Sequence, residues 1–297
     1  IPMMDALAAR VPLAGGLAVT KFASREASGL YPVIEGGHPI PDARSVQAGE
    51  RVLEFVSSLE EEDTLVCLIS GGGSALVTAP HVSLEDLQTL TALLLSSGAR
   101  IDEINILRRQ LDRLKGGGLA GATKAKVVSL ILSDVIGNPL EAIASGPTAP
   151  DPTTKEDALR VLRKYKLEEQ VPKSILDILL RAPSPALTAV RGGSISGRVQ
   201  NTIIGDNKLA ALAALKRAEK EGFRAEILTN TLQGEAREVG RELAHRLRVD
   251  GLTKARPFCL IAGGETTVTI KGNGKGGRNQ ELALAAVTQL ADLKNVM

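Results

Sequence analysis

The sequence runs to 297 residues, 43% hydrophobic and 24% charged, which is chain enough for two domains, or for one large α/β domain with an appendage. A formal net charge of +2 supplies no general basic field, and four Phe, two Tyr and no Trp offer few platforms for stacking bases, so a nucleic-acid partner is not expected. No apolar run approaches a membrane span, no signal peptide is visible, and Cys67 and Cys259 sit in apolar runs without metal-ligand spacing; no membrane partner is expected, and the expected location is cytoplasmic.

The chain opens on helical spacing, with Met3, Met4, Leu7 and Ala8 on one face, and continues into a short strand at 17–20. Residues 42–58 read as a helix and 64–69 as a strand. Ser83-Leu84-Glu85-Asp86 resembles a capping box, predicting a helix that stops at Gly98. A second helix is expected over 102–114, ending at Lys115-Gly116-Gly117-Gly118. The strand at 127–132 is apolar apart from Ser129, as a strand covered on both faces should be. Helices near 154–165 and 172–181 precede a loop region rich in Pro, Gly and Ser at 182–197. A strand at 202–205, an alanine-rich helix at 208–221 capped by Gly222, a strand at 225–229, a helix at 234–247 and a strand near Phe258 follow. This alternation predicts an α/β fold: a Rossmann-like, doubly wound, mostly parallel sheet with helices on both faces.

In such sheets ligands bind at loops beyond the carboxyl ends of strands. Ser70-Gly71-Gly72-Gly73-Ser74 directly follows a strand. Three consecutive glycines leave backbone N–H groups uncovered for an anion, although a tight turn alone would also use glycine. Ser133-Asp134 lies just past another strand, where Asp134 either binds a metal ion, takes a hydroxyl proton, or simply caps a turn. Ala144-Ser145-Gly146-Pro147-Thr148 reads as a shaped turn beneath that loop. The glycines after Lys115, with Asn105, Arg108 and Arg109 on the preceding helix face, are a third candidate, against a plain solvated basic face. Asp206-Asn207 is equally a loop-end candidate and a helix start. Near the end, a β-rich run at 259–270 and the hinge Gly272-Asn273-Gly274-Lys275 lead into Gly276-Gly277-Arg278-Asn279-Gln280-Glu281 and a helix. Glycine amides, the helix N-terminus and the forked donors of Arg278 together read as an anion site. No Gly-x-x-x-x-Gly-Lys-Ser/Thr or Gly-x-Ser-x-Gly occurs. Gly272-x-Gly274-x-x-Gly277 matches a dinucleotide fingerprint with no following strand to carry the ribose-binding acid. His38, His81 and His245 follow no zinc or triad spacing.

Taken in order, Glu35-Gly36-Gly37-His38-Pro39, Ile69-Ser70-Gly71-Gly72-Gly73-Ser74-Ala75, Glu103-Ile104-Asn105, Lys115-Gly116-Gly117, Leu132-Ser133-Asp134-Val135, Ile143-Ala144-Ser145-Gly146-Pro147 and Gly276-Gly277-Arg278-Asn279-Gln280-Glu281 resemble the class II (MOFRL-type) glycerate kinases across nearly the whole chain. That resemblance implies a large Rossmann-like domain at 1–232, a helical connection at 233–256, part of a smaller α/β MOFRL domain at 257–297, and an active site in a cleft between the domains. It also implies phosphorylation of D-glycerate to 2-phosphoglycerate with ATP and Mg2+, and leaves a homodimer open. Carried over by motif, Arg278 and Asp134 are the catalytic candidates, with Asp134 also the metal candidate. Ser70, Gly71, Gly72, Gly73, Ser74, Asn105, Lys115, Ser133, Asn279 and Glu281 are the substrate- or phosphate-binding set. The family's catalytic lysine, in a Gly-Lys-Ala loop, would precede Ile1, and the remainder of the MOFRL domain would follow Met297; the polypeptide as it stands is therefore expected to be inactive or severely impaired. An NAD(P)H-dependent hydroxypyruvate reductase and a non-catalytic anion-binding module remain the alternatives.

Overall fold

A computed structural model describes residues 1–22, 31–181, 197–269, 271, 272, 274–294 and 296. Most of the Pro/Gly/Ser-rich loop expected at 182–197, along with Ile270 and Asn273, lies outside the described residues. The chain divides into two compact units, Ile1–Ile204 and Gly205–Met297. The division precedes the boundary expected at 232, because the strand expected at 225–229 pairs with the strand at Phe258 and not with those of the first unit.

The first unit runs α1 (Pro2–Ala8), β1 (Ala18–Thr20), β2 (Val33–Glu35), α2 (Ala43–Ser57), β3 (Thr64–Ile69), α3 (Gly73–Leu76), α4 (Leu84–Ser96), α5 (Ile101–Gln110), α6 (Gly118–Gly121), β4 (Lys126–Leu132), α7 (Lys155–Lys164), α8 (Lys173–Leu180) and β5 (Val199–Gly205). β3 and β4 pair in parallel from Thr64↔Lys126 to Ile69↔Ile131, and β5 continues that sheet. β1 and β2 form a separate parallel pair. Parallel pairing with helical crossovers is as expected, but among the described residues it is divided into separate small sheets.

Local chemistry sets the helix starts. Asp42 caps α2 by accepting from the backbone N–H of Arg44 and Ser45, while the buried Ser45 hydroxyl accepts from the N–H of Asp42 and of Gly37. The cap that starts α2 thereby also holds the Gly36-Gly37-His38 loop. Ser83 caps α4 and Thr154 caps α7 in the same manner. α5 stops at Gln110, short of the expected 114. Beyond it the backbone turns to pair with the strip before α4: His81 N–H donates to Leu111 O, and Arg113 N–H donates to Ala79 O.

Two apolar clusters fill the first unit. One joins α4, α5, α7 and α8 through Leu90, Leu94, Leu107, Leu162 and Ile175; the other packs Val52 and Val56 of α2 against Leu65 of β3 and Val127 of β4. Burial pushes the Cys67 thiol of β3 up to about 12, so it behaves as a core group at neutral pH, as its apolar run predicts. Cys259, like Cys67, is a free cysteine.

The second unit consists of α9 (Asn207–Lys220), β6 (Arg224–Leu232), α10 (Ala236–Thr253), β7 (Phe258–Gly264) and α11 (Arg278–Leu290). β6 and β7 pair in parallel, with register shifts beyond Ile227. α10 runs past the expected end at 247, where Arg246 and Lys254 both pair with Asp250. It packs closely against α11: the carbonyl of Leu282 lies where a side chain on Gly240 would start.

Leu162 is fully buried at the centre of the helical cluster, and Leu162→Ala is expected to lower the unfolding free energy by about 2–5 kcal/mol in urea titrations. A loss under about 1 kcal/mol would contradict this packing. Glu103 of α5 accepts from Lys164 Nζ at 2.6 Å and from Tyr165 Oη at 2.7 Å, which holds its carboxyl at about 2 instead of 4.5. A depressed carboxyl stabilises fully above its unfolded value and loses that contribution as pH falls toward its folded one. The melting-temperature gap between wild type and Glu103→Gln should therefore be widest above about pH 5 and close between about pH 4.5 and 2. A gap independent of pH would count against the pairing.

Candidate functional site

The loop after β3 is the place where the separate motifs of the first unit meet. Gly71 lies so close to the Asp134 side chain that a Cβ would fall 1.9 Å from Asp134 Oδ2. Gly72 adopts φ +82°, and a Cβ there would approach the His38 imidazole at 3.3 Å. Ser74 Oγ shares a 2.7 Å hydrogen bond with Ser145 Oγ. Loops distant in sequence, around His38, Gly71, Asp134 and Ser145, thus share one locale. The N–H groups of Gly71, Gly72 and Gly73 donate to no other backbone group among the described residues. Asp134 is exposed and Ser133 half-buried; Ser133 Oγ bonds only the backbone of Val135. Ala144 and Ser145 hold positive φ of 51° and 61° without being glycine, a conformation that costs about 1–3 kcal/mol per residue and persists only where surroundings impose it.

Those surroundings include the Lys115 turn. Gly116 N–H donates to Ser145 O at 3.0 Å, Gly117 N–H to Gly146 O at 2.7 Å, and Gly118 N–H to Lys115 O at 3.1 Å. The glycine amides that sequence offered to an anion are therefore engaged within the protein. Lys115 itself is 4% exposed, and its ammonium donates to Asp112 Oδ2 at 2.5 Å, Thr78 Oγ1 at 3.2 Å and Val77 O at 3.3 Å. An ammonium has three protons, and all are engaged, so the surroundings of Lys115 do not support the expected phosphate contact. Asp112 also accepts from Thr78 Oγ1 and from the N–H groups of Ala79, Leu114 and Lys115. Burial opposes its ionisation, and the Lys115 ammonium with these hydrogen bonds outweighs that, so its carboxyl sits below the usual carboxylate range.

The basic face expected on α5 splits by role. Arg109 is buried; its Nε donates to Asp151 Oδ1 at 2.8 Å, beside Gln110 Nε2, which donates to Asp151 Oδ2 at 2.8 Å. Arg108 is half-buried, and no hydrogen bond or ion pair holds its guanidinium among the described residues; burial lowers its pKa. It lines a recess with Ser74, Thr78, Thr91, Asp112 and Lys115. Asn105 is half-buried one turn before it.

In the second unit Gly277 precedes the first residue of α11, which places Arg278 at the helix start, as the sequence suggests. Its Nη2 lies 2.7 Å from Glu265 Oε1, and its Nη1 donates to Thr266 O at 3.3 Å. Glu281 pairs with Arg237 at 2.7 Å, while Asn279 is exposed. Asp206 caps α9 through Leu209 N–H, the helix-start reading of that residue. Sequence reasoning passed over two residues, Asp112 and Glu265. Asp112 sits three residues before Lys115, and Glu265 adjoins the Gly263-Gly264 pair, so both carried a spacing signal. Among the described residues no group of three or more His, Cys, Asp or Glu side chains could hold a metal ion, and no helix is long and apolar enough to cross a membrane.

One family model matches within the first unit and another within the second. Residues 1–180 match a family model described as a domain of unknown function, DUF4147, and residues 258–297 match the MOFRL family. The glycerate 2-kinase of Pyrococcus horikoshii is 43% identical over 289 residues, covering 94% of this chain and 64% of that protein. The D-glycerate 2-kinase of Thermotoga maritima is 43% identical over 289 residues, covering 95% and 67%. A crystal structure of the Thermotoga maritima glycerate kinase superposes with a TM-score of 0.79 at 42% identity, over 95% of this chain and 67% of that one. The chain thus spans about two thirds of the length of the curated relatives it matches. With a first-unit match of this extent, a MOFRL match at the end, and more than 40% identity to both relatives, the chain belongs to the glycerate 2-kinase family that combines DUF4147 with MOFRL.

Proposed function

We propose that this chain provides the glycerate-phosphorylating machinery of an ATP-dependent D-glycerate 2-kinase. The observation that carries the reading is the loop after β3, where three glycine amides without backbone acceptors adjoin the Asp134 carboxylate and the Ser74–Ser145 hydroxyl pair. Phosphoryl transfer asks a protein for positioning and for charge stabilisation, and this locale supplies both kinds of group. In the reaction the substrate 2-hydroxyl oxygen bonds to the γ-phosphorus of ATP as the bond to the ADP oxygen breaks, and the hydroxyl proton is released. The glycine amides donate to phosphate oxygens, and Asp134 offers a carboxylate to the metal or to the departing proton.

Arg278, at the start of α11 in the second unit, offers a fork of donors suited to a phosphate group. Its pair with Glu265 is about half exposed on both sides, at 50% and 46%, and such pairs contribute only about 0–1 kcal/mol. A phosphate oxygen therefore displaces Glu265 at little cost. Mg2+ would reach this locale through the exposed Asp134 carboxylate, with waters and nucleotide phosphates completing its shell, since Mg2+ rarely needs a cage made wholly of protein. When bound, the ion neutralises charge on the β- and γ-phosphates.

Turnover should be measured as D-glycerate-dependent ADP release from Mg-ATP, with the chain joined to the flanking segments of the Pyrococcus horikoshii relative. The reading expects release with 2-phosphoglycerate as product, and about a 10³-fold slower kcat in Arg278→Ala. A folded chimera that releases no ADP would sink the reading, and a near wild-type rate in the variant would remove Arg278 from the site.

A further inference from the structure

Arg108 is the guanidinium of α5 that has no hydrogen bond or ion pair among the described residues. Its neighbour Arg109 is satisfied by Asp151, and the nearby Lys115 by Asp112, Thr78 and Val77. The charged groups lining the recess are Arg108, Asp112 and Lys115. Because Asp112 and Lys115 neutralise one another, the recess carries a net charge of about +1 at neutral pH. A half-buried guanidinium without a counter-ion carries a partial desolvation cost, and an incoming anion relieves it. The charge balance favours a monovalent anion. The planar fork of donors on Arg108 favours a carboxylate, which accepts two parallel hydrogen bonds.

The remaining polar lining suits a hydroxylated molecule. Thr91 Oγ1 donates to Leu87 O at 2.8 Å and keeps its lone pairs, while Ser74 presents the hydroxyl shared with Ser145. The recess has a cavity volume of about 10 Å³, room for little more than one ligand oxygen beside Arg108, and Ser74, directly after Gly73, links its lining to the glycine loop.

We propose that this recess is a carboxylate subsite in which Arg108 is the counter-ion of a small monovalent hydroxy acid, with Ser74 and Thr91 meeting its hydroxyls. The identification of that acid as D-glycerate rests on the kinase reading; the anion subsite rests on the unpaired guanidinium and its recess alone. Arg108, which the sequence offered only as one of a basic face beside the Lys115 glycines, is thus a specificity-determining residue for the carboxylate end of the substrate.

Calorimetric titration of the chain with D-glycerate, L-lactate and glycerol, on wild type, Arg108→Gln and Arg108→Lys, tests the proposal. Expected are binding of D-glycerate, no binding of uncharged glycerol, at least a tenfold loss of affinity in Arg108→Gln, and a smaller loss in Arg108→Lys. Lactate binding with the same dependence on Arg108, without glycerate binding, would keep the subsite and sink the glycerate reading. Undiminished binding in Arg108→Gln, equal binding of glycerol, or no carboxylate binding to folded wild type would overturn the subsite. If Arg108→Gln fails to fold, phenylglyoxal modification of wild type read by mass spectrometry replaces it. D-glycerate should then protect Arg108 from modification, and protection confined to other arginines would overturn the proposal.

Discussion

One buried carboxylate, Asp112, holds the candidate site together. It accepts from Thr78 and Ala79 on the strip that follows the glycine loop, and from Leu114 and Lys115 at the turn beyond α5. The same turn sends the N–H groups of Gly116 and Gly117 to the carbonyls of Ser145 and Gly146. Ser145 then returns to Ser74 through the 2.7 Å hydroxyl contact. The circuit is closed: each loop is fixed by the next, and the first is fixed by the last. That closure accounts for two consecutive non-glycine residues at positive φ, whose strain a loosely held turn would release. Burying a charge pair is costly, so the contribution of Asp112 and Lys115 lies in fixing this arrangement more than in net stability.

The buried charges of the first unit are partnered within the fold, whereas Arg108 has no such partner among the described residues. Arg109 and Lys115 are buried, fully partnered cations that fasten loops to helices. Asp151 does for the residues after Gly146 what Asp112 does for the glycine loop, accepting from Arg109, Gln110 and Thr153. Arg108, between them in sequence, lacks such a partner and faces a recess. Groups whose hydrogen-bonding capacity is filled within the fold have little to offer a substrate. Among the described residues, the glycine amides have no backbone acceptor, and Arg108 and the exposed Asp134 carboxylate have no side-chain partner. Arg278 joins them in the second unit, since its surface pair is weak enough to exchange.

Much of the fold was legible because local signals and tertiary structure agree. Ser83 caps the predicted helix, β3 occupies the predicted apolar run at 64–69, and Arg278 opens the predicted helix. Three-residue β2, which precedes the Gly36-Gly37 turn, was not predicted from the sequence. The end of α5 was placed too late because Leu111 and Leu114 continue its apolar spacing, whereas the backbone of Leu111 is recruited by His81 and that of Arg113 by Ala79. The compact units divide at 204/205, and β6 pairs with β7 by a non-local contact that nothing in residues 225–232 specifies. At the site, glycine runs marked both loops but not their roles. The run at 71–73 leaves its amides without backbone acceptors, the run at 116–118 spends them on carbonyls, and only the identity of the facing residues distinguishes the two.

The central claim is that the Asp112 carboxylate holds the Lys115 turn against the Ser145 loop. Amide hydrogen exchange at Gly116 and Gly117 in Asp112→Asn tests it most directly, since those two N–H groups report the junction between the loops. Removing one partner of a buried ion pair costs about 3–5 kcal/mol, so exchange at both amides should accelerate at least about a hundredfold over wild type. Protection at Gly116 and Gly117 equal to wild type in the folded variant would contradict the claim.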